Sequence, residues 1–142
     1  GKKVEEHMDK FEFNLALDKI WEAVRRANKY IDENMPWVLA KNEADKPRLD
    51  TVLHNLAEVL RIVSVLIYPF MHTTSKEIRK QMGLWYADVV WEDAFTFDMM
   101  NGEQVKKGNA IFPRLDIEKE LEELHAMNAP KEENGAEDGK EE

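Results

Sequence analysis

Apolar residues recur at steps of three and four along much of this chain, the spacing of one face of an α-helix. Leu17, Ile20, Val24, Ala27 and Ile31 form one such stripe, flanked by Trp21 and Tyr30. Asp18, Glu22, Arg25, Arg26, Lys29 and Asp32 lie mainly opposite. The helix is expected to begin near residues 12–14 and to end before Pro36. Proline cannot continue a helix and biases the residue before it out of helical geometry. Trp21 is expected in the core, where truncation to alanine costs ~3–5 kcal/mol. A shorter amphipathic segment, residues 4–13, precedes it, with Val4, Met8 and Phe11 on one face.

A longer pattern runs from Leu49 through Val52, Leu53, Leu56, Val59, Leu60, Val63, Leu66 and Ile67 to Phe70. Its second half, residues 60–71, is apolar on nearly every side, which suits a helix in the middle of a bundle. Pro47 fits the first helical turn, and Pro69 bends or closes the far end. Next comes a short helix. Thr74 and Glu77 have the spacing of a capping box, Ile78 and Met82 face inward, and Gly83 supplies the stop. Residues 83–95 are aromatic-rich and irregular. Asn101-Gly102 and Gly108 mark turns. Asp116 is the expected N-cap of a last amphipathic helix carrying Ile117, Leu121 and Leu124. No strand pattern or internal repeat is evident. The predicted fold is all-α, an antiparallel helical bundle over residues 1–127.

Charge changes the picture at one end. The chain of 142 residues has a net charge of −9. Residues 130–142 hold six acids and two bases with no large apolar residue, and residues 117–129 hold four acids and one base. The first 116 residues carry 19 acids and 17 bases, close to neutral. Residues 128–142 are expected to be an acidic, disordered linker, because such a composition buries too little surface to offset its ordering entropy. The body is neither a basic phosphate-binding footprint nor an acidic barrier to one.

Candidate chemistry is sparse. The absence of cysteine excludes thiol nucleophiles and Cys-ligated metals and is compatible with a cytosolic protein. No apolar run approaches the ~20 residues of a membrane span. Glycine-rich phosphate loops and nucleophile-elbow motifs are missing. Glu122 and His125 have the Glu-x-x-His spacing of di-iron bundles, but no second copy accompanies them. They read as a solvated helix face. His54 and Glu58, four apart, read as a surface hydrogen-bonded pair. The adjacent acids Asp32-Glu33 and Glu92-Asp93 do not face each other on a helix. No catalytic constellation and no metal site emerge.

The four tryptophans offer more. Trp37, after Pro36, is expected to plug a helix end. Trp85 and Trp91 fall in the irregular stretch, where an indole is either a core plug or a platform on which unpaired bases stack. Lys106, Lys107, Arg114 and the Arg25-Arg26 pair are the bases that could accompany stacking.

The segments FEFNLALDKIWEAVRRANKYIDENMPWVLAK (residues 11–41), LRIVSVLIYPFMHTTSKEIRKQMGL (60–84), VVWED (89–93) and IFPRLD (111–116) follow one another in a familiar order. Together they resemble the helical anticodon-binding domain of bacterial methionyl-tRNA synthetases, a class I family. The resemblance implies that the chain takes part in reading the CAU anticodon of initiator and elongator methionine tRNAs. It implies a stacking role for Trp91, with Trp85 and Arg114 as further anticodon-site candidates. It also implies that the bundle's first helix, with an Asn and an Arg reader, lies upstream of Gly1, leaving an apolar groove. The ATP- and methionine-using catalytic domain would likewise lie outside the chain, so this piece binds rather than catalyses and holds no cofactor. Many family members continue through a linker into a domain that binds tRNA and dimerises, and they act in the cytoplasm. The competing reading is a non-enzymatic helical module that binds a protein helix in its apolar grooves.

Overall fold

A computed structural model describes residues 1–84 and 88–128. The described residues form helices and turns, with no strand among them. Helices α1 (Lys2–Asp9), α2 (Phe13–Asn34), α3 (Pro36–Leu39), α4 (Lys46–Leu66) and α5 (His72–Gln81) lie in one unit, residues 1–111. Two 3₁₀ turns, Glu43–Asp45 and Trp91–Phe95, belong to the same unit. Helix α6 (Ile117–Met127) belongs to a second unit that begins at residue 112.

Helix α4 is the centre of the first unit. It packs against α2, α3, α5 and both 3₁₀ turns. Val63, Ser64, Val65, Leu66 and Ile67 are buried one after another, so the last turn of the helix is covered on every side. The helix before it is less enclosed than its pattern suggests, since Leu53 and Leu60, the latter at the start of the apolar second half, stay exposed. Pro47 sits in the first turn. The helix stops at Leu66, ahead of Pro69, and the Phe70 and Met71 amides close the turn on the Ile67 carbonyl at 3.0 and 2.8 Å.

Helix α2 spans the predicted residues and ends at Met35, whose φ of +43° breaks the helix just before Pro36. Ala16 and Ile20 are fully buried, with Leu17 and Val24 packed against the same core. Trp21 is a correction: it retains 39% of its surface. It lies one step around the helix from Ile20, and burial there would need an element closing over that flank. Trp37 is also exposed rather than plugging a helix end. Phe11 leaves the face of α1 because the helix ends at Asp9 and Phe11 adopts a φ of +59°, leaving the ring 80% exposed.

The capping box at Thr74 does not form. Helix α5 begins two residues earlier, at His72, with Met71 at the cap and no side-chain cap bond. Glu77 turns to Gln81 and Lys80 instead, at 3.1 and 3.7 Å. Its C-terminus follows the sequence. Gly83 adopts a φ of +78°, its amide donates to the Lys80 carbonyl at 3.2 Å, and the Leu84 amide donates to Arg79 at 2.8 Å. That is a Schellman motif. Beyond it, the Lys106 amide reaches the Gln81 carbonyl at 2.7 Å and ties the 101–109 stretch to the end of α5.

In the second unit, Asp116 caps α6 as expected, its carboxylate accepting from the Glu118 and Lys119 amides at 3.2 and 3.4 Å. Asn128 forms the other end. The rest of the expected acidic linker, 129–142, lies outside the described residues. No helix among the described residues is long and apolar enough to cross a membrane.

Candidate functional site

The stretch 88–100 is the part of the first unit built least by helix periodicity and most by side-chain chemistry. Its centre is the 3₁₀ turn Trp91–Phe95, seated on α4 with Ala94 buried in the core. Two charged residues of α4 hold it. Glu58 is fully buried and Arg61 nearly so, and their side chains pair at 2.9 Å. Arg61 Nη1 donates to the Asp93 carbonyl at 2.8 Å, and Nη2 also reaches the Thr96 carbonyl. Glu58 accepts from the Asp98 amide at 3.1 Å, the Met99 amide at 2.9 Å and the Met100 amide. Every buried side-chain nitrogen and oxygen among the described residues has a partner.

Glu58 therefore corrects the expected surface pair with His54. Its carboxylate points into the molecule, and His54 pairs with the exposed Asp98 at 2.9 Å instead. Burial alone would raise the Glu58 carboxyl. The hydrogen bonds from Arg61 and from the Met100 and Met99 amides, with the Arg61 charge, outweigh it and hold the group below its ordinary value of 4.5. Arg79, also buried, donates to the Asp88 carbonyl at 3.1 Å and supports the start of the same stretch. Burial holds its guanidinium below the usual value, partly offset by the Asp93 carboxylate.

Trp91 is half-buried at the head of the turn and packs on the main core cluster. Its indole N–H donates to Glu5 of α1 at 3.1 Å. The Phe95 ring meets it edge-on, centroids 6.2 Å apart. Both its neighbours, Val90 and Glu92, are exposed. The ring is thus held at its polar edge and on one side, at the surface end of the turn.

The other expected site residues stand as follows. Trp85 lies outside the described residues. Arg114 is an exposed side chain of the second unit. Lys106 and Lys107 are exposed beside the end of α5. Arg26 is drawn to Glu33 at 3.1 Å. Glu122 and His125 stand exposed on α6, and no group of three metal-ligating side chains occurs among the described residues.

Sequence reasoning missed Glu58 and Arg61 as site residues, although a signal was there. Between Leu56 and Tyr68 they are the only charged residues, an acid and a base three apart in the most apolar part of the chain.

Two clefts lie along α2 and α4, the first bordered also by α1 and by the charged Lys2, Lys3, Lys19 and Glu22. One cleft of about 620 Å³ is lined by Val4, Ala23, Ile62, Leu66 and Phe95. A second of about 300 Å³ is lined by Ala27, Tyr30, Leu56, Val59 and Phe97. Ala23 and Arg26 border both.

Comparisons with known proteins agree with one another. The sequence profile described as the anticodon-binding domain of tRNA ligase matches residues 2–135. A methionine–tRNA ligase of Caldanaerobacter subterraneus subsp. tengcongensis is 50% identical over 129 residues, covering 91% of this chain and 20% of that protein. The Clostridium tetani methionine–tRNA ligase is 48% identical over 126 residues, covering 88% of this chain and 19% of that protein. The chain thus spans about a fifth of the length of these relatives. Among solved structures, the apo form of Mycobacterium tuberculosis methionyl-tRNA synthetase superposes with a TM-score of 0.74. It is 32% identical and covers 81% of this chain and 23% of that one.

Proposed function

The chain belongs to the anticodon-binding domain family of tRNA ligases, and from that premise we propose that it reads the CAU anticodon of methionine tRNAs as one part of a methionine–tRNA ligase. The observation that carries this reading is the anchoring of Trp91. An indole held at its N–H by Glu5 and on one side by Phe95 has little freedom left to lose when an unpaired base stacks on it. Such stacking contributes about 1–3 kcal/mol per base. The near-neutral first 116 residues suit a reader of a few splayed bases rather than a phosphate-gripping surface. In this reading ATP and methionine bind elsewhere in the ligase, which acts in the cytoplasm and pairs with a second copy through another domain. Trp85 and Arg114 are further candidates for contact with the anticodon.

Titration with an anticodon stem-loop tests it. Trp91→Ala should weaken binding to the CAU loop and leave binding to a loop abasic at the wobble position unchanged. Equal affinity of wild type and a folded Trp91→Ala protein for the CAU loop overturns the assignment.

A second reading, a module that docks a protein helix, is favoured by the mainly apolar cleft of about 300 Å³ between α2 and α4. It predicts a partner whose binding is indifferent to Trp91→Ala and to competing RNA.

A further inference from the structure

Burying an ion pair is expensive, and a well-packed hydrophobic pair of similar volume often stabilises a fold as well or better. Glu58 and Arg61 offer something no apolar pair could. Arg61 presents two donors to the backbone carbonyls of Asp93 and Thr96. Glu58 presents its acceptors to the amides of Asp98, Met99 and Met100. One point on α4 therefore grips the turn that begins with Trp91 and the chain leaving it. The Asp93 carbonyl lies two residues from the indole, and Phe95, the ring set against it, lies between the two gripped carbonyls. The turn's own backbone bonds are a short 3₁₀ set, with the Asp93 amide donating to the Val90 carbonyl at 3.2 Å and the Thr96 amide to the Asp93 carbonyl at 3.5 Å, so the contacts from α4 add most where it leaves the helix surface.

We propose that Glu58 and Arg61 are positioning residues that set the orientation of Trp91 for the base it receives; the proposal rests on the stacking role assigned to Trp91 above. Neither residue need touch RNA. Its effect runs through the backbone of residues 93–100.

Two variants separate this from a general contribution to folding. Glu58→Gln keeps the shape and removes the charge. Arg61→Lys keeps the charge but replaces a planar fork by a single ammonium, which cannot serve Glu58 and both carbonyls together. Helicity by circular dichroism selects the variant that is folded at the assay temperature. The first readout needs no RNA. In the 142-residue chain carrying Trp21→Phe, Trp37→Phe and Trp85→Phe, Trp91 is the one tryptophan left of four, iodide quenching reports it alone, and each folded variant should expose it more. The second is a double-mutant cycle with the CAU stem-loop. Either variant should lower affinity roughly tenfold when Trp91 is present and leave it unchanged in the Trp91→Ala background.

Unaltered quenching in a folded variant overturns the proposal. So does an affinity loss of equal size in both backgrounds, which would mark a structural role alone. If Trp91→Ala itself does not change affinity, the stacking role falls, and quenching alone then decides whether the ion pair orients the indole.

Discussion

The Ser75 hydroxyl of α5 donates to the Ser64 carbonyl of α4 at 2.6 Å, and neither residue keeps any solvent exposure. Ser64 lies in the last turn of α4, where carbonyls lack intrahelical donors. Ser75 is thus a helix cap supplied from a neighbouring helix. Ser75→Ala should leave that carbonyl unsatisfied in the core and cost about 1–3 kcal/mol. Denaturant midpoints against wild type measure it; a loss below 0.5 kcal/mol, roughly the level of a neutral surface change, would contradict the role.

Acid should loosen the 96–100 segment before the helices melt. The Glu58 carboxyl is held below its ordinary 4.5 in the folded protein. Its stabilising contribution is therefore fully present above pH 4.5 and is lost as pH falls through the lower folded value. Protection of the Met99 and Met100 amides, relative to their intrinsic exchange rates, should fall over that range, and Glu58→Gln should abolish that pH dependence of protection.

Neighbouring residues on α2 should behave very differently. Ile20 is fully buried, so Ile20→Ala should cost about 2–5 kcal/mol. Trp21, 39% exposed, should lose only about 1 kcal/mol on truncation, an ordinary value for a point change. The pair of urea midpoints checks the order, which reverses if the indole is a core residue.

Gly83 holds a φ of +78°, and a Cβ there would lie 2.8 Å from the Gln104 carbonyl oxygen. Gly83→Ala therefore combines backbone strain with a clash against main chain. It should destabilise the protein by more than the ~1 kcal/mol a compatible glycine position would gain. A melting temperature equal to that of wild type would show that the 101–109 stretch shifts freely away from α5.

Periodicity made the helices legible because each is written in consecutive residues. The α2 stripe, Pro47 in the first turn of α4, the Gly83 stop and the Asp116 cap all act within a turn or two of themselves. What periodicity omits is whatever closes over a face. Trp21 beside an apolar stripe and Trp37 at a helix boundary both stay exposed, because nothing in the local spacing says whether another element arrives. Thr74 and Glu77 match a capping pattern, but the helix begins earlier, where Ser75 serves α4. Glu58 was misread for the same reason: its partners at residues 98–100 lie 40 to 42 positions away in sequence. Of the candidate site, the position of Trp91 outside regular helix was legible, whereas the residues that hold it were not.

The grip on residues 96–100 falls on main-chain atoms, while the side chains of Thr96, Phe97, Asp98 and Met99 are all exposed. The course of this loop is consequently set in large part from α4. Position 98 keeps a residue that tolerates a φ of +66° and position 100 a side chain that can be buried, but the outward side chains of Thr96, Phe97 and Met99 are free to diversify while the path stays fixed. Drift in this loop's sequence would then change what the domain displays without changing where it displays it.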